Sequence, residues 1–256
     1  MNVWNVYNAR VGVDGESKRD AVAARERRFL TSKLPNSLSY KTVVINGRSQ
    51  NVAIINTDSL NEKFILSLPG DDILCGSTVE WKDNFWIVTE RDADDELYVR
   101  AKMLQCNYLL RWIDKDAVIH EQWCVIEDGT SSLNGQYEDR DFIVTRGDSR
   151  LVMTISKNEH TTKFGRGTRL LIDDPDSELM LAYELTKPFK LGGVYNGRGV
   201  FHFVLQEVNT TDDDSQDLRI ADYYKYFPHE DTGKTAPPLS IDPVNNETTN
   251  GKKVWL

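Results

Sequence analysis

The sequence predicts an all-β protein, built as an N-terminal helical arm, a small β-barrel, a second β-sandwich or barrel domain and an extended C-terminal tail. Two observations carry that prediction. From Asp71 to Asp128 short alternating strand patterns follow one another with turn residues only a few positions apart, and after a polar loop similar patterns restart and run to about residue 225. Strands so short and so closely turned suit a closed or nearly closed barrel, because closure removes the unpaired edges that would otherwise aggregate.

The arm is predicted over residues 1–39. Ser17-Lys18-Arg19-Asp20 resembles a capping start, and the helix formers from Asp20 to Leu30 run out before Pro35, giving one helix of about three turns. Ala21, Val22, Ala24, Phe29 and Leu30 make a poor apolar stripe, so the helix is expected to lie on a neighbour or on the barrel surface. Arg25, Arg27 and Arg28 are then candidate contacts of a docking arm, and a solvated basic face is the plainer alternative.

The barrel is predicted over residues 40–128. Its first strands are Lys41 to Asn46, Asn51 to Ile55 and Lys63 to Leu68, with Asn46-Gly47 as a hairpin turn because both positions tolerate positive φ. Thr78 to Trp81 and Phe85 to Thr89 form the next hairpin around Lys82-Asp83-Asn84. After an acidic tip from Asp92 to Glu96 the pattern resumes at Leu97 to Leu110, turns at Asp114-Lys115-Asp116 and ends with Val118 to Ile126. The polar loop 127–135 is the expected hinge. Over 136–225 the strand patterns are Phe142 to Thr145, Arg150 to Ser156, Arg169 to Ile172, Leu179 to Leu185 and Val200 to Glu207. Residues 226–256 hold Pro228, Pro237, Pro238 and Pro243 and are expected to be extended.

Composition narrows the function. The 256 residues are 39% hydrophobic and 28% charged, with a net charge of −9, which argues against wrapping nucleic acid by general attraction. Residues 1–40 carry seven Lys or Arg against four Asp or Glu, and 206–256 carry five against ten, so the two ends differ in sign. No apolar run is long enough to span a bilayer and the first residues lack the build of a signal peptide, so a cytosolic protein without membrane contact is expected. Cys75, Cys106 and Cys124 are expected as reduced thiols, Cys106 inside the barrel on the same face as Leu104.

Few residues suggest chemistry. His120, His160, His202 and His229 are widely spaced and make no zinc motif, and no metal ligand or cofactor is assigned. Asp212-Asp213-Asp214 with Asp217 is the best calcium candidate, but it lacks the turn glycine and terminal glutamate of a calcium loop. Gly165-Arg166-Gly167 reads as a turn, and no Ser or Cys has a recognisable base partner, so no enzyme is expected. Trp81, Trp86, Trp112 and Trp123 suit a strand core better than a sugar-stacking surface.

Cys75-Gly76-Ser77-Thr78-Val79-Glu80-Trp81, followed by Phe85-Trp86-Ile87-Val88-Thr89, resembles a hairpin of tailed-phage head-closure (head–tail connector) proteins. Met103 to Trp112 is similar to a Cys-Asn-x-x-Leu-x-Trp strand in the connectors of siphophages of Gram-positive hosts, and Ile220-Ala221-Asp222-Tyr223 is similar to a segment of the same proteins. The resemblance spans roughly residues 1–225, and the second domain sets this chain apart from the smallest members. It implies a virion neck protein, assembled in the host cytoplasm as a homo-oligomeric ring that closes the DNA-filled head. Its partners would be other copies of itself, a portal or adaptor protein, a tail or tail-terminator protein and, transiently, packaged DNA. In that setting Asp92, Asp94, Asp95 and Glu96 are candidates for a channel loop that repels phosphate. The competing expectation is a receptor- or carbohydrate-binding β protein of a phage tail or baseplate, which would display an exposed aromatic patch.

Overall fold

The computed structural model describes Trp4, Tyr7 and residues 17–92, 97–129, 150–174 and 176–228. Helix α1, Lys18–Lys33, opens with the expected capping box, in which the Ser17 hydroxyl accepts from the Asp20 amide and the Asp20 carboxylate accepts from the Ser17 amide. A 3₁₀ turn, Leu34–Asn36, ends it at Pro35.

Six antiparallel strands follow: β1 (Tyr40–Ile45), β2 (Arg48–Asn56), β3 (Glu62–Ser67), β4 (Thr78–Trp81), β5 (Asn84–Arg91) and β6 (Arg100–Gln105). They form a closed barrel in the order β1-β2-β3-β6-β5-β4, and β4 returns to β1 through Val44 opposite Glu80 and Ile45 opposite Val79. Asn46 secures that closure. It adopts positive φ in the expected turn with Gly47 while its side chain donates to the Ser77 hydroxyl and accepts from the Thr78 amide. Alternation turns Val43, Ile45, Val52, Ile54, Ile65, Val79, Trp86, Val88, Ala101 and Met103 into one apolar core.

The remaining strands are β7 (Tyr108–Ile113), β8 (Ile119–Asp128), β9 (Arg150–Ser156), β10 (Arg169–Ile172), β11 (Leu181–Tyr195) and β12 (Arg198–Val208). They make one antiparallel sheet in the order β10-β11-β12-β9-β8-β7. The sheet curls until its two edges approach, where the Tyr108 hydroxyl donates to the Leu171 carbonyl at 3.1 Å, giving a near-barrel around Leu110, Trp112, Met153, Ile155, Phe201, Phe203 and Leu205. Two short helices complete the fold, α2 (Glu159–Thr162) and α3 (Tyr223–Tyr226).

Two expectations need correction. Tyr108–Ile113 and Ile119–Asp128, which the sequence pattern puts in the barrel, pair in the second sheet. The barrel is already closed with six strands and leaves no edge for a seventh. The switch falls between consecutive residues, since the Cys106 amide donates to Phe85 of the barrel and the Asn107 amide donates to Cys124 of the sheet. Cys106 is buried, but at the seam between the units, beside Ile87 and Val200 with Phe85 and Trp123 packed on it. The inward face of β6 belongs to Ala101 and Met103, the opposite alternation from that expected. The expected strand at Phe142 to Thr145, most of the hinge 127–135 and nearly all of the tail 226–256 lie outside the described residues.

At the seam Phe85 and Trp123 stack with ring centroids 4.7 Å apart. Gly76 and Gly199 meet there so closely that a Cβ on Gly76 would lie 2.3 Å from the Gly199 carbonyl oxygen. β11 also runs farther than its sequence pattern suggests, because Asn196 and Gly197 at positive φ form a tight turn into β12.

Candidate functional site

Arg25, Arg27 and Arg28 are exposed on α1, which buries none of its side chains. Of the acidic tip only Asp92 is described, and Asp94, Asp95 and Glu96 lie outside the described residues. Asp92 leaves β5 next to cations, sharing a shallow surface with Arg91, Arg100 and Lys102, so the described base of the tip is of mixed charge.

The calcium candidate is an arginine clamp. Asp214, its side chain fully buried, accepts from Arg169 at 2.8 and 3.1 Å and from the amides of Thr211 and Asp222, while Arg169 also donates to the Asp222 carboxylate at 2.7 Å. The guanidinium supplies the positive charge that an ion would bring. Burial works to raise the Asp214 carboxyl, but the two amides and Arg169 outweigh it and hold the group below the ordinary carboxylate range. Gly165-Arg166-Gly167 is a turn, with Arg166 donating to the Thr186 carbonyl. Trp86 and Trp112 are core residues, while Trp81 and Trp123 are half-buried.

The spacing of the histidines along the chain does not reveal the polar centre at the far end of the sheet. His120 occupies the inward register of β8 alongside Gln122 and Cys124, and its Nε2 lies 3.0 Å from Asp114 Oδ2. Asp114 follows β7 and turns the chain, accepting from the amides of Asp116 and Val118 on Oδ1 and from Lys163 at 3.3 Å on Oδ2. His160 arrives on α2. Asn158 caps that helix by accepting from the His160 and Thr161 amides, and its Nδ2 donates to Gln122 Oε1 at 2.7 Å, which ties the turn to β8. The His120 and His160 rings are thereby brought to a centroid separation of 3.9 Å, with Trp112 packed on His120.

Burial by itself would raise the Asp114 carboxyl, but His120, the Val118 and Asp116 amides and Lys163 together hold it at about 2, so it is a carboxylate at neutral pH. Burial, then the neighbouring His120 and Lys163, keep the His160 imidazole below its ordinary range, against a smaller pull from Asp114 and Glu159. A carboxylate can only accept, so the His120 proton shared with it sits on Nε2. The Nδ1 atoms of both imidazoles are buried with no hydrogen-bond partner among the described residues. A ligand oxygen of Asp114 and one nitrogen from each imidazole all lie within 4.8 Å of one another.

These groups can hold a proton or a cation. His120 Nε2 faces a carboxylate and its Nδ1 meets no described hydroxyl or thiol. Thr154 and His202 do bond at 2.9 Å, as a cross-strand pair between β9 and β12, with burial keeping the His202 imidazole below its usual range. The three cysteines are thiols, and burial pushes Cys106 up to about 12, which makes it a poor nucleophile. A groove of about 580 Å³ runs along the seam, lined by Asn46, Ser77, Glu80, Glu121, Lys157 and Arg198 among others.

Residues 16–105 match the model of a family described as the YomX N-terminal domain. The match begins one residue before the Ser17 cap of α1 and stops at the last residue of β6, so it covers α1 and the whole barrel and none of the second sheet. No curated protein and no solved structure matches the chain.

Proposed function

We propose that this chain is a structural subunit of a homo-oligomeric ring, and that the ring is the phage neck of the sequence resemblance, closing the DNA-filled head and joining it to the tail. The observation that carries the assembly reading is α1. A helix of 16 residues rises about 24 Å, yet it buries no side chain, and Val22 and Phe29 remain 53% and 55% exposed. An isolated helix of that length is marginal in water and draws its stability from packing one face; no described element covers this one, and the ring reading assigns it to a neighbouring copy. β11 adds a second open surface. It pairs with β10 only over Leu181–Glu184, and beyond that, among the described residues, its strand pairing is with β12, with Phe189, Leu191 and Tyr195 exposed. Burial of Trp86 and Trp112 takes two of the four strand tryptophans out of any sugar-stacking surface, which the carbohydrate-binding reading would need.

The role needs no turnover. Partners follow from the position in the particle: copies of itself, a portal or adaptor above, a tail or tail-terminator protein below, and DNA only in passage. The test is the particle itself. Quantitative mass spectrometry of purified virions should find the protein in a fixed multiple of copies, and deleting its gene should give heads that package DNA and lose it, alongside free tails. Replacing Val22 and Phe29 together by Asp should reproduce the deletion while leaving the barrel folded. One copy per particle, or stable DNA-filled heads with normal tails after deletion, would refute the role; tailed particles that fail to adsorb would indicate receptor binding.

A further inference from the structure

We propose that Asp114, His120 and His160 bind one divalent metal ion of the zinc class. The inference is independent of the ring reading and rests on three observations. The first is the donor set: one carboxylate and two imidazoles, contributed by the β7–β8 turn, β8 and α2, have their ligand atoms within 4.8 Å of one another. Imidazole with carboxylate is the combination that zinc and its first-row neighbours prefer. The second is spacing. Asp114 Oδ2 and His120 Nε2 are 3.0 Å apart, and bonds of about 2.0 Å at tetrahedral angles place ligand atoms about 3.3 Å apart. For that pair, an ion that replaces the shared proton asks for only a few tenths of an ångström of adjustment.

The third observation is what the protein leaves undone. His120 is 2% exposed, and its Nδ1, like that of His160, is buried with no hydrogen-bond partner among the described residues. Buried polar atoms are nearly always satisfied, so the orphan on His160, beside the Asp114–His120 pair, marks a place where a group from outside the chain is expected. A metal ion can supply a ligand bond to His160 Nδ1, whereas His120 Nδ1 lies across its ring from Nε2 and is out of reach of the same ion. Three protein ligands leave room for a coordinated water, and His160 is only half-buried.

Lys163 is the opposing group. Its ammonium stands 3.3 Å from Asp114 Oδ2, so it occupies the cation's side of the carboxylate. It is also half exposed and already 3.3 Å from Asp116, so it can withdraw to that carboxylate when an ion enters. Lys163→Met should therefore bind metal more tightly than the natural chain, whereas a purely structural latch would only be weakened by that change.

The experiment is titration of the full chain, freed of metal by chelation, with zinc chloride in a calorimeter and with cobalt(II) followed by visible absorption. The expected result is one equivalent bound, with cobalt bands of low-symmetry coordination. His160→Ala should weaken binding by more than about tenfold, since loss of even an outer partner of a metal ligand costs about 10–100-fold. His160 lies on a short surface helix, which makes that variant the one to rely on if His120→Ala fails to fold. Absence of a saturable site below about millimolar zinc would overturn the proposal. So would zinc binding that His160→Ala leaves unchanged, which would assign the ion to other residues.

Discussion

The barrel and the sheet beside it use the same kind of strand but finish their ladders differently. In the barrel β1 meets β4, every strand has two neighbours, and the interior is almost wholly hydrocarbon. In the sheet β7 and β10 each pair on one side only and face each other through a single side-chain hydrogen bond, from Tyr108 to Leu171. The buried charge of the described residues gathers at those two edges. Arg169 opens β10 and holds Asp214 and Asp222, while Asp114 closes β7 and holds His120 and Lys163. Where the backbone ladder gives out, side-chain networks take over the work of satisfying and fixing the chain. Such networks depend on every member, so the sheet should be far more sensitive than the barrel to loss of one polar group.

The largest effect should come from Arg169→Ala. It leaves the fully buried Asp214 carboxylate without its counter-charge, and the cost is expected at about 3–5 kcal/mol in urea unfolding followed by circular dichroism. The same cluster sets the acid limit. Because the Asp214 carboxyl is held below its unfolded range, its contribution is complete above about pH 4 and is lost as pH falls toward its folded value. In Asp214→Asn that part of the acid sensitivity should disappear, and an unchanged acid profile would remove Asp214 from the account.

Next should come Gly76→Ala, which tests whether the two units are held as one. Gly76 has φ +82 and faces the Gly199 carbonyl, so the added methyl strains the backbone and pushes the seam apart, at about 1–3 kcal/mol. The expected signature is a split between barrel and sheet transitions, with the Trp123 fluorescence environment changing early. A single, unshifted transition would mean that the units are coupled elsewhere. Tyr108→Phe should have the smallest effect, about 1 kcal/mol, because one hydrogen bond is lost and a carbonyl is left unpaired. If that substitution costs as much as Arg169→Ala, the near-closure of the sheet hangs on one bond, and the contrast with the barrel is deeper than drawn above.

Local chemistry determined much of this protein from the sequence alone. The capping box at Ser17 and Asp20, the turns at Asn46-Gly47 and Lys82-Asp83, and the alternation of most strands depend on residues within a few positions of one another, and each appears in the structure. The all-β class follows from them. Tertiary structure alone decided which sheet each strand joins. Tyr108 to Asp128 alternates as well as any barrel strand, and only the return of β4 to β1 leaves it without a place there. The same holds for the polar centre. His120 in the inward register of β8 is a local hint, but its meaning needs His160, carried in from a separate turn by Asn158 and Gln122. Likewise the aspartate run after Thr211 looks like an ion loop until Arg169, far away in the chain, reaches it from the edge of the sheet. Spacing along the chain is silent on such pairs, because the groups that satisfy a buried charge are chosen by proximity in space.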